Sequence, residues 1–384
     1  RVDRIAKNGD RTFVDVDLTK RKGKAVKVFD GDVLQIYSIL DKLEGAVLLS
    51  GHVHRPGGFS WKPGMRFSDV VGGYDELLPN PNTNFALIQR KVGPSRLTKV
   101  LRVNLAKALA DTAGVEDVTL QSRDEIQVFG MAENHADAVS GLVEQLETEV
   151  ANGEYPHVAT LLGHVKFPGT YPIYDAMTVA GLIESAAGYL PEINRQTALL
   201  VKLDEASGVT SVQGLDLRSD IDLAVPIQSS DQVFIFGLNS PREDLLLPVI
   251  RQLKLSNSKQ LMPQYVSIAG QVRFPGEYPL FNDMSLDSLV ELAGGFLDSA
   301  YTGSLEVTRT NLDAENQFEQ EHLSISLGDK SKQTAFLLKP QDKLLVKRIT
   351  NWGREVTVEL LGEVKFPGVY PVSAGETMAQ VLER

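Results

Sequence analysis

One short sequence motif occurs four times along the chain. It begins at Gly51, Gly163, Gly270 and Gly362, where the sequence is GHVHRPGGF, GHVKFPGTYP, GQVRFPGEYP and GEVKFPGVYP. Self-similarity of this kind is the sequence pattern of a protein built from repeated structural units. The chain is therefore expected to fold as a series of similar small domains, which we number repeats 1 to 4.

Each repeat also predicts one amphipathic helix after the motif. Apolar residues recur there with the i, i+3, i+4 spacing of a helix that buries one face. They are Phe67, Val70 and Val71; Val179, Leu182 and Ile183; Leu286, Leu289 and Val290; and Met378, Val381 and Leu382. Thr178, Ser285 and Thr377 precede three of these helices as N-cap residues. Repeat 1 has Arg66 there and glycines at 72 and 73, which predicts a shorter or distorted helix.

The strand pattern around that helix predicts a small α+β fold. Apolar runs such as residues 46–50 predict a first strand that ends at a glycine. The residues of the motif then alternate in character up to a Pro-Gly turn, and a second strand is predicted after the turn. Further strands follow the helix, and the repeats close on an aspartate that opens an alternating strand, at Asp124, Asp231 and Asp342. The order β-β-α-β-β is typical of a mixed sheet with one helix across its face. The predicted class is a tandem array of β-grasp, ubiquitin-like domains in an elongated molecule.

Helical linkers are predicted between the repeats. Apolar spacing indicates one helix from Asn134 to Val150 and another after Pro241, with a bend expected at Pro248. The predicted boundaries are 1–44 for the closing half of an incomplete repeat, 45–131 for repeat 1, 132–157 for a linker, 158–238 for repeat 2, 239–263 for a linker, 264–349 for repeat 3 and 350–384 for the opening half of repeat 4.

Both ends of the sequence carry half repeats. The sequence begins with a closing half, which contains Val16-Asp17-Leu18 and a strand at residues 32–36 and has no opening half before it. It ends with an opening half, residues 362–384, which has no closing half after it. This pattern predicts a piece of a longer protein. Because each half leaves a sheet edge without a partner, we expect the two halves to complete one another between molecules, head to tail.

Composition narrows the class of partner. The formal net charge is −11, from 39 Lys and Arg against 50 Asp and Glu residues. Binding to nucleic acid or to an anionic membrane surface requires a basic face, so neither is expected. No apolar run approaches the length of a membrane span, and membrane association is expected only through parts outside this sequence. The lack of cysteine is compatible with an oxidising compartment.

No motif for catalysis or for a cofactor is recognisable. The phosphate loop, the serine-hydrolase elbow and the zinc-protease motif are all absent from the sequence. His52 and His54 have the spacing of a metal-binding pair on one strand face, but other polar residues replace them in repeats 3 and 4, which favours a solvent-facing stripe. The pairs Glu116–Asp117 and Asp220 with Asp222 are interpreted as solvated turns. We therefore predict no enzyme, no catalytic residue, no metal and no cofactor.

The Pro-Gly turn is the recurring feature with the chemistry for a binding role. Two aromatic rings would stack on a sugar, and a basic side chain would reach its polar or acidic groups. The candidate residues are Lys166, Phe167 and Tyr171 in repeat 2, Arg273, Phe274 and Tyr278 in repeat 3, and Lys365, Phe366 and Tyr370 in repeat 4. The alternative is structural: the rings cover the hairpin and pack against the helix, while proline and glycine fix the turn.

The motif and the segments after it resemble a known family. Followed by MTVAGLIESAAGYLPE from Met177 and MSLDSLVELAGGFLDSAY from Met284, the motif resembles the soluble-ligand-binding β-grasp (SLBB) domain. Tandem copies joined by segments such as SPREDLLLPVIRQLK from Ser240 are similar to the periplasmic region of bacterial polysaccharide biosynthesis/export proteins. The resemblance implies a periplasmic, outer-membrane-associated setting in a Gram-negative bacterium and a part in exporting capsule or exopolysaccharide. It implies no catalytic residue.

Two classes of function follow. In the first, the repeats are a structural and interaction module of the export machinery, with polysaccharide, further copies of the chain and other envelope export or polymerisation proteins as partners. Stacked repeats suit this role because they offer edge strands and exposed helices to neighbours. In the second, the repeats bind a glycan or a small soluble ligand without a channel role. Since no repeat gathers a distinctive set of convergent polar groups, the first is favoured.

Overall fold

The computed structural model describes most of the chain as two compact bodies, Arg1–Gly130 and Met131–Arg384. The first contains repeat 1, and the second contains repeats 2 and 3 and the opening half of repeat 4. The residues described are 2–5, 11–14, 16, 25–34, 45–150, 154–204, 209–255, 262–312, 318–327, 335–350, 352–353, 356–373 and 375–383.

A small antiparallel sheet opens the first body. Its strands are β1 (Val2–Ile5), β2 (Arg11–Val14) and β3 (Val33–Leu34), in the order β2-β1-β3. β3 lies within the strand predicted at residues 32–36. Residues 17, 18, 35 and 36 of the predicted closing half lie outside the described residues.

Repeats 1, 2 and 3 each form a five-stranded sheet of one topology. In repeat 1 the strands are β4 (Ala46–Gly51), β5 (Gly57–Ser60), β6 (Pro81–Val92), β7 (Leu97–Val103) and β8 (Glu125–Gly130). In repeat 2 they are β9 (Val158–Gly163), β10 (Gly169–Pro172), β11 (Ile193–Leu203), β12 (Thr210–Leu215) and β13 (Gln232–Gly237). In repeat 3 they are β14 (Tyr265–Gly270), β15 (Gly276–Pro279), β16 (Ser304–Leu312), β17 (Phe318–Ser326) and β18 (Lys343–Val346).

The sheets are mixed, with one parallel pair at the centre of each. Their orders are β5-β4-β8-β6-β7, β10-β9-β13-β11-β12 and β15-β14-β18-β16-β17. The first strand pairs in parallel with the closing strand, and all other neighbours are antiparallel. This confirms the predicted α+β class. The predicted order β-β-α-β-β missed one strand, because the sheet ends in an edge strand with a weak apolar pattern, such as β7.

The four repeat helices and the two linker helices lie at the predicted places, whereas two further short helices, at Leu105–Ala110 and Asp220–Leu223, were not predicted. They are α1 (Phe67–Val71), α2 (Leu105–Ala110), α3 (His135–Thr148), α4 (Val179–Ser185), α5 (Asp220–Leu223), α6 (Glu243–Leu255), α7 (Leu286–Leu292) and α8 (Met378–Leu382). A 3-10 turn spans Tyr74–Glu76. Repeat 4 contributes the hairpin β19 (Thr357–Leu360) and β20 (Gly368–Pro371) before α8. Pro248 lies inside α6.

Helix caps follow the sequence in repeats 2 to 4 and differ in repeat 1. Thr178, Ser285 and Thr377 accept hydrogen bonds from backbone N–H groups in the first turn of α4, α7 and α8, as predicted. α1 has five residues against seven in α4, which confirms the shorter helix. Asp117 caps it instead, accepting from the backbone N–H and the hydroxyl of Ser68 at 2.9 Å each. With 1% exposure, Asp117 is a buried cap, so its interpretation as a solvated turn residue was wrong.

The apolar cores differ in extent between the two bodies. Repeat 1 has a core of its own, with Val47 and Ile126 among its members. Repeats 2 and 3 share one cluster of buried residues, which passes from Phe234 in repeat 2 through Val249 in α6 to Ile268 in repeat 3. α6 is therefore a packed element between repeats 2 and 3 and not a loose tether.

The closing strand explains why each complete repeat opens with a glycine. Gly163 has φ +94°, and a Cβ at this position would lie 2.0 Å from the carbonyl oxygen of Ile235. Gly51 and Gly270 meet a closing-strand carbonyl at the same 2.0 Å. The glycine that begins the motif is thus required by the close approach of the two parallel strands.

The closing aspartates are buried and hold the last turn of each complete repeat. Asp124, Asp231 and Asp342 are at most 1% exposed, and each accepts a backbone N–H from the residue three positions earlier. Asp124 and Asp342 also accept two hydrogen bonds each from a guanidinium, that of Arg90 at 2.6 and 2.9 Å and that of Arg309 at 2.6 and 3.0 Å. These bidentate pairs join the hairpin to the closing turn.

Repeat 2 has a lysine where its neighbours have that arginine. The strand register places Lys202 opposite Asp231, as Arg309 lies opposite Asp342. Oδ1 of Asp231 has no hydrogen-bond partner among the residues described. Burial raises the pKa of Asp231, while the backbone N–H of Gln228 and the charge of Lys202 lower it. The protonated carboxyl therefore contributes stability at pH values below the ordinary pKa, and this contribution is lost as the pH rises through the raised pKa.

We expect Lys202→Arg to stabilise repeat 2 by about 1 kcal/mol at neutral pH, because a guanidinium placed like Arg309 would satisfy both oxygens of Asp231. Hydrogen exchange of β13 amides at neutral and acidic pH would measure the gain, which should be larger at neutral pH. Arg309→Lys is the matched control and should lower the protection of β18 by a similar amount. Unchanged protection in both variants would contradict this account of the pair.

Candidate functional site

The tyrosines of the motif close its Pro-Gly turn. The hydroxyls of Tyr171 and Tyr278 donate to the carbonyl oxygens of Phe167 and Phe274 at 2.5 Å, and the two side chains belong to residues at most 1% exposed. Burial raises the pKa of both tyrosines well above its ordinary value. These contacts support the structural alternative for the two tyrosines, which have no ring face left for a sugar.

The phenylalanines of the same turns contact the linker helix before each repeat. The ring of His135, the first residue of α3, lies against Phe167 with 5.1 Å between centroids and 33° between planes. Arg242, which directly precedes α6, lies over Phe274 with its guanidinium carbon 4.4 Å from the ring centroid. In both repeats, the phenylalanine ring contacts a basic side chain at the start of the linker helix that precedes the repeat.

The same two side chains bind the end of the repeat's own helix. Nδ1 of His135 lies 2.7 Å from the carbonyl oxygen of Ser185, the last residue of α4, and donates to it because a carbonyl only accepts. Nε of Arg242 donates at 3.3 Å to the carbonyl oxygen of Leu292, the last residue of α7. Helix ends leave such carbonyls without intrahelical partners, and their dipole favours a cation. We call this pair of contacts, aromatic ring plus helix end, the clasp.

Arg242 makes further contacts around the clasp. It is 2% exposed, lies 4.9 Å from the ring centroid of Phe236, and donates further hydrogen bonds to the carbonyls of Gly237 and Ser240. Burial lowers the pKa of Arg242 to about 10. The guanidinium therefore stays charged at neutral pH. Its Nη1 and Nε donate to backbone carbonyls, and its Nη2 is buried without a hydrogen-bond partner among the residues described.

Each linker helix then covers the second strand of the hairpin. Ala136 of α3 lies so close to Gly169 that a Cβ on the glycine would be 2.5 Å from the alanine methyl. Lys254 of α6 binds the carboxylate of Glu277 in β15 at 2.7 and 2.8 Å. We define the docking face of a repeat as this second strand, the residue four positions after the opening glycine, and the C-terminal end of the helix.

The docking face of repeat 1 forms an open cleft of about 220 Å³. Its lining residues are Leu49, Val53, Arg55, Phe59, Asp69, Val70, Val71, Gly72 and Glu76. Arg55 and Phe59 stand at the motif positions of Phe167 and Tyr171. The guanidinium of Arg55 is 83% exposed and reaches the carboxylate of Glu76 only at 4.0 Å.

The basic residues of the predicted site have varied surroundings. Arg273 donates to the carbonyl of Leu238 at 3.3 Å and to the side chain of Asn239 at 3.1 Å, so it too contacts the linker. Lys166 lies 5.6 Å from the ring centroid of Phe167. In repeat 4 the ammonium of Lys365 lies 5.5 Å from the ring centroid of Phe366, which is 62% exposed.

The three predicted site residues of repeat 4 are brought together at the surface. The hydroxyl of Tyr370 donates to the carbonyl of Phe366 at 2.7 Å, so the turn closes as in repeats 2 and 3. Phe366 keeps an exposed ring with the Lys365 ammonium over it. Ligand binding by the nine motif residues stays a prediction.

The histidines of the motif tie it to a neighbouring loop. Nε2 of His52 donates to the carbonyl of Pro79 at 2.8 Å, and Nε2 of His164 donates to that of Pro191 at 2.5 Å. Asp220 and Asp222 were predicted to lie in a loop but belong to α5, and Asp222 accepts the backbone N–H of Asp216 at 2.8 Å. Within the described parts of the chain, no group of three or more His, Asp or Glu residues is placed to hold a metal ion.

His135 and Arg242 are the residues that sequence reasoning missed. Each stands five positions after the glycine that ends the closing strand, Gly130 or Gly237, at the start of an apolar stripe. That offset was available from the sequence. The two residue types differ, however, and their common role appears only when both are seen against a phenylalanine and a helix end.

A family model for the SLBB domain matches residues 158–212, 265–317 and 357–384. These three segments of the chain are thus similar to the SLBB domain. Repeats 2, 3 and 4 contain the matched segments, and repeat 1 has the same sheet order as repeats 2 and 3. SLBB domains are binding and structural domains, not enzymes, and they are found in polysaccharide export proteins. A search of curated proteins gave no match to the chain.

No helix in the described ranges of this chain has the length and apolar character needed to cross a membrane.

We expect the clasp to couple Arg242 to Phe274 by about 1–2 kcal/mol, because a buried guanidinium over a ring loses both attraction and packing when either partner is truncated. Arg242→Ala, Phe274→Ala and the double variant would be compared by urea unfolding, with hydrogen exchange of α6 as a local measurement. Arg251→Ala removes a positive charge from the exposed side of the same helix and is the matched control. Additive effects of the two clasp variants would contradict the coupling.

Proposed function

We propose that this chain is the periplasmic part of a polysaccharide export protein, acting as a structural and interaction module of the outer-membrane export machinery in a Gram-negative envelope. The presence of SLBB domains, which are found in such proteins, supports this assignment. Capsule or exopolysaccharide is the proposed cargo. Further copies of the chain and envelope proteins for polymerisation and export are the proposed partners.

The observation that carries the proposal is the use of the motif's aromatic residues in the clasp. A sugar-stacking site needs open ring faces, but Phe167 and Phe274 contact His135 and Arg242, and their tyrosine neighbours are buried. A scaffold needs a fixed geometry between successive domains, which a helix packed at its start and along its length provides. Repeats 2 and 3 share a continuous core for this reason.

Free sheet edges supply the interaction surfaces of the proposed module. In each complete repeat the second hairpin strand and the last hairpin strand lie at the two edges of the sheet. α3 and α6 cover one edge in repeats 2 and 3, as Ala136 and Lys254 show by their contacts with β10 and β15. Strands β7, β12 and β17 form the opposite edges. Because β12 contacts Gln252 of α6 and Phe281 of repeat 3, β7 and β17 are the edges that suit pairing with a neighbouring subunit.

The second candidate is a glycan-binding or small-ligand-binding module without a channel role. Repeat 4 favours it, since Phe366 is 62% exposed and carries the Lys365 ammonium 5.5 Å from its ring centroid. An exposed ring beside a cation is the arrangement that stacks on a sugar and reaches its polar groups. Binding of purified exported polymer that is lost in Phe366→Ala but kept in Phe366→Tyr would support this candidate.

We expect a strain whose gene lacks only residues 46–348 to lose surface and secreted polysaccharide while the shortened protein persists in the envelope. The physical reason is that the clasped repeats set the spacing between the parts of the chain on either side. Polysaccharide would be quantified in both fractions, and envelope levels of the protein would be followed by immunoblot. The intact gene carrying Arg251→Ala is the matched control and should export normally. Normal export by the deletion strain would contradict the scaffold role.

A further inference from the structure

The last hairpins of repeats 1 and 3 end in edge strands, β7 and β17, and carry opposite charge. We propose that edge strand β7 of one copy of the chain binds edge strand β17 of a second copy, guided by the charges at the tips of the two hairpins. This interface rests on the proposed function, in which further copies of the chain are partners, and it identifies the surfaces that join them.

The equivalent hairpins of the three complete repeats differ in charge. Residues 81–103 of repeat 1 contain five Lys and Arg residues and no Asp or Glu, which gives a net charge of +5. Residues 193–215 of repeat 2 contain two basic and two acidic residues and are neutral. Residues 304–326 of repeat 3 contain one Arg and five acidic residues, a net charge of −4. A chain of net charge −11 thus has one strongly basic hairpin, and the equivalent hairpin two repeats later is acidic.

Ion pairs inside the sheets do not remove this difference. Arg90 of the repeat 1 hairpin pairs with Asp124, and in repeat 3 Arg309 pairs with Asp342. Glu306 binds the ammonium of Lys347 at 2.8 Å. Apart from the residues in these pairs, the hairpin of repeat 1 still contains four basic side chains and that of repeat 3 four acidic ones.

Both charged hairpins extend beyond the closing strand of their sheet. In repeat 1, β6 pairs with β8 as far as Gln89 but with β7 as far as Val92. In repeat 3, β16 pairs with β18 as far as Thr308 but with β17 as far as Leu312. The tip of each hairpin is therefore a two-stranded ribbon, and the outer strand of a ribbon can pair with a strand of another molecule.

Exposed charges lie at both tips. Arg96 is in the turn between β6 and β7, and Glu319 is the second residue of β17. Neither side chain has an ion-pair partner within the part of the chain that the structure describes. Glu321 is also exposed, and its carboxylate accepts a hydrogen bond of 3.3 Å from the side chain of Asn311. An opposite charge brought to these groups by another molecule would be attracted.

Charge selects the unlike pair of edges. Two copies of β17 side by side would bring Glu319 and Glu321 next to further carboxylates, and two copies of the β7 hairpin would bring basic groups together. Like charges across an interface disfavour association, whereas a basic surface steers an acidic one into contact. Because β7 and β17 are different surfaces of one chain, copies joined in this way associate head to tail.

Self-association of the intact 384-residue chain tests the interface. Sedimentation velocity would be recorded over a range of protein concentrations at low and high salt. We expect concentration-dependent association that weakens as salt screens the charges. Arg96→Glu and Glu319→Lys should each weaken the association by about tenfold, and the chain carrying both changes should recover it, because the two charges are then exchanged.

Charge reversals elsewhere control for the change in net charge. Arg251→Glu on α6 and Glu147→Lys on α3 alter exposed residues outside both hairpins and should leave the association unchanged. Circular dichroism melting would verify that every variant folds. None of these measurements involves exported polysaccharide, so their failure is distinguishable from normal export by the deletion strain.

The absence of cysteine from the chain allows a direct test of contact between copies. One chain would carry Ser95→Cys at the tip of the repeat 1 hairpin, and a second would carry Gln320→Cys in β17. Under oxidised glutathione, the mixture should form disulfide-linked dimers faster than either chain alone. A third chain with both changes should form linked multimers.

Three outcomes would overturn the proposal. The chain could stay monomeric at low salt at every concentration, which would show that the edges do not pair. The double charge variant could associate as weakly as the single variants, which would remove the pairing of the two tips. A disulfide inside single molecules of the double-cysteine chain, without linked multimers, would place the contact within one copy.

Discussion

The arrangement of repeats 2 and 3 depends on one recurring contact, a side chain at the start of a linker helix held between an aromatic ring and the end of a second helix. Arg242 makes it with Phe274 and the carbonyl of Leu292, and His135 makes it with Phe167 and the carbonyl of Ser185. Because ring and carbonyl belong to different parts of one repeat, the contact fixes direction as well as position. The rest of the helix is then laid along the second hairpin strand.

The repeats tolerate different residues at the clasp because their internal framework is independent of it. The opening glycine lets the closing strand approach so closely that a Cβ at the glycine position would collide with a carbonyl oxygen of that strand. A closing aspartate, buried in all three complete repeats, satisfies the turn that precedes that strand. Even the arginine that binds Asp124 or Asp342 is replaced by Lys202 in repeat 2, and the sheet order is unchanged. The docking face is thus free to vary in chemistry.

Much of this framework is predictable from the sequence because it rests on local patterns. Period-2 and period-3.6 spacing located the hairpins and helices, and Thr178 and Ser285 marked helix starts. The edge strand β7 was missed because half-exposed positions weaken the alternation. The clasp was missed for another reason: Tyr171 and Phe167 have the composition of a sugar-binding surface, and only tertiary packing decides whether a ring faces solvent or a neighbouring helix. Asp117 was misjudged likewise, since its partner Ser68 is distant in sequence.

Linker helices decide what the aromatic motif does in repeats 2 and 3. The long linkers before these repeats carry a helix back over the following hairpin, and there the tyrosines of the motif are at most 1% exposed. His135 and Arg242, at the start of the two helices, contact the phenylalanines. Residues with the composition of a sugar-binding surface are therefore packing elements where a linker helix is laid over them.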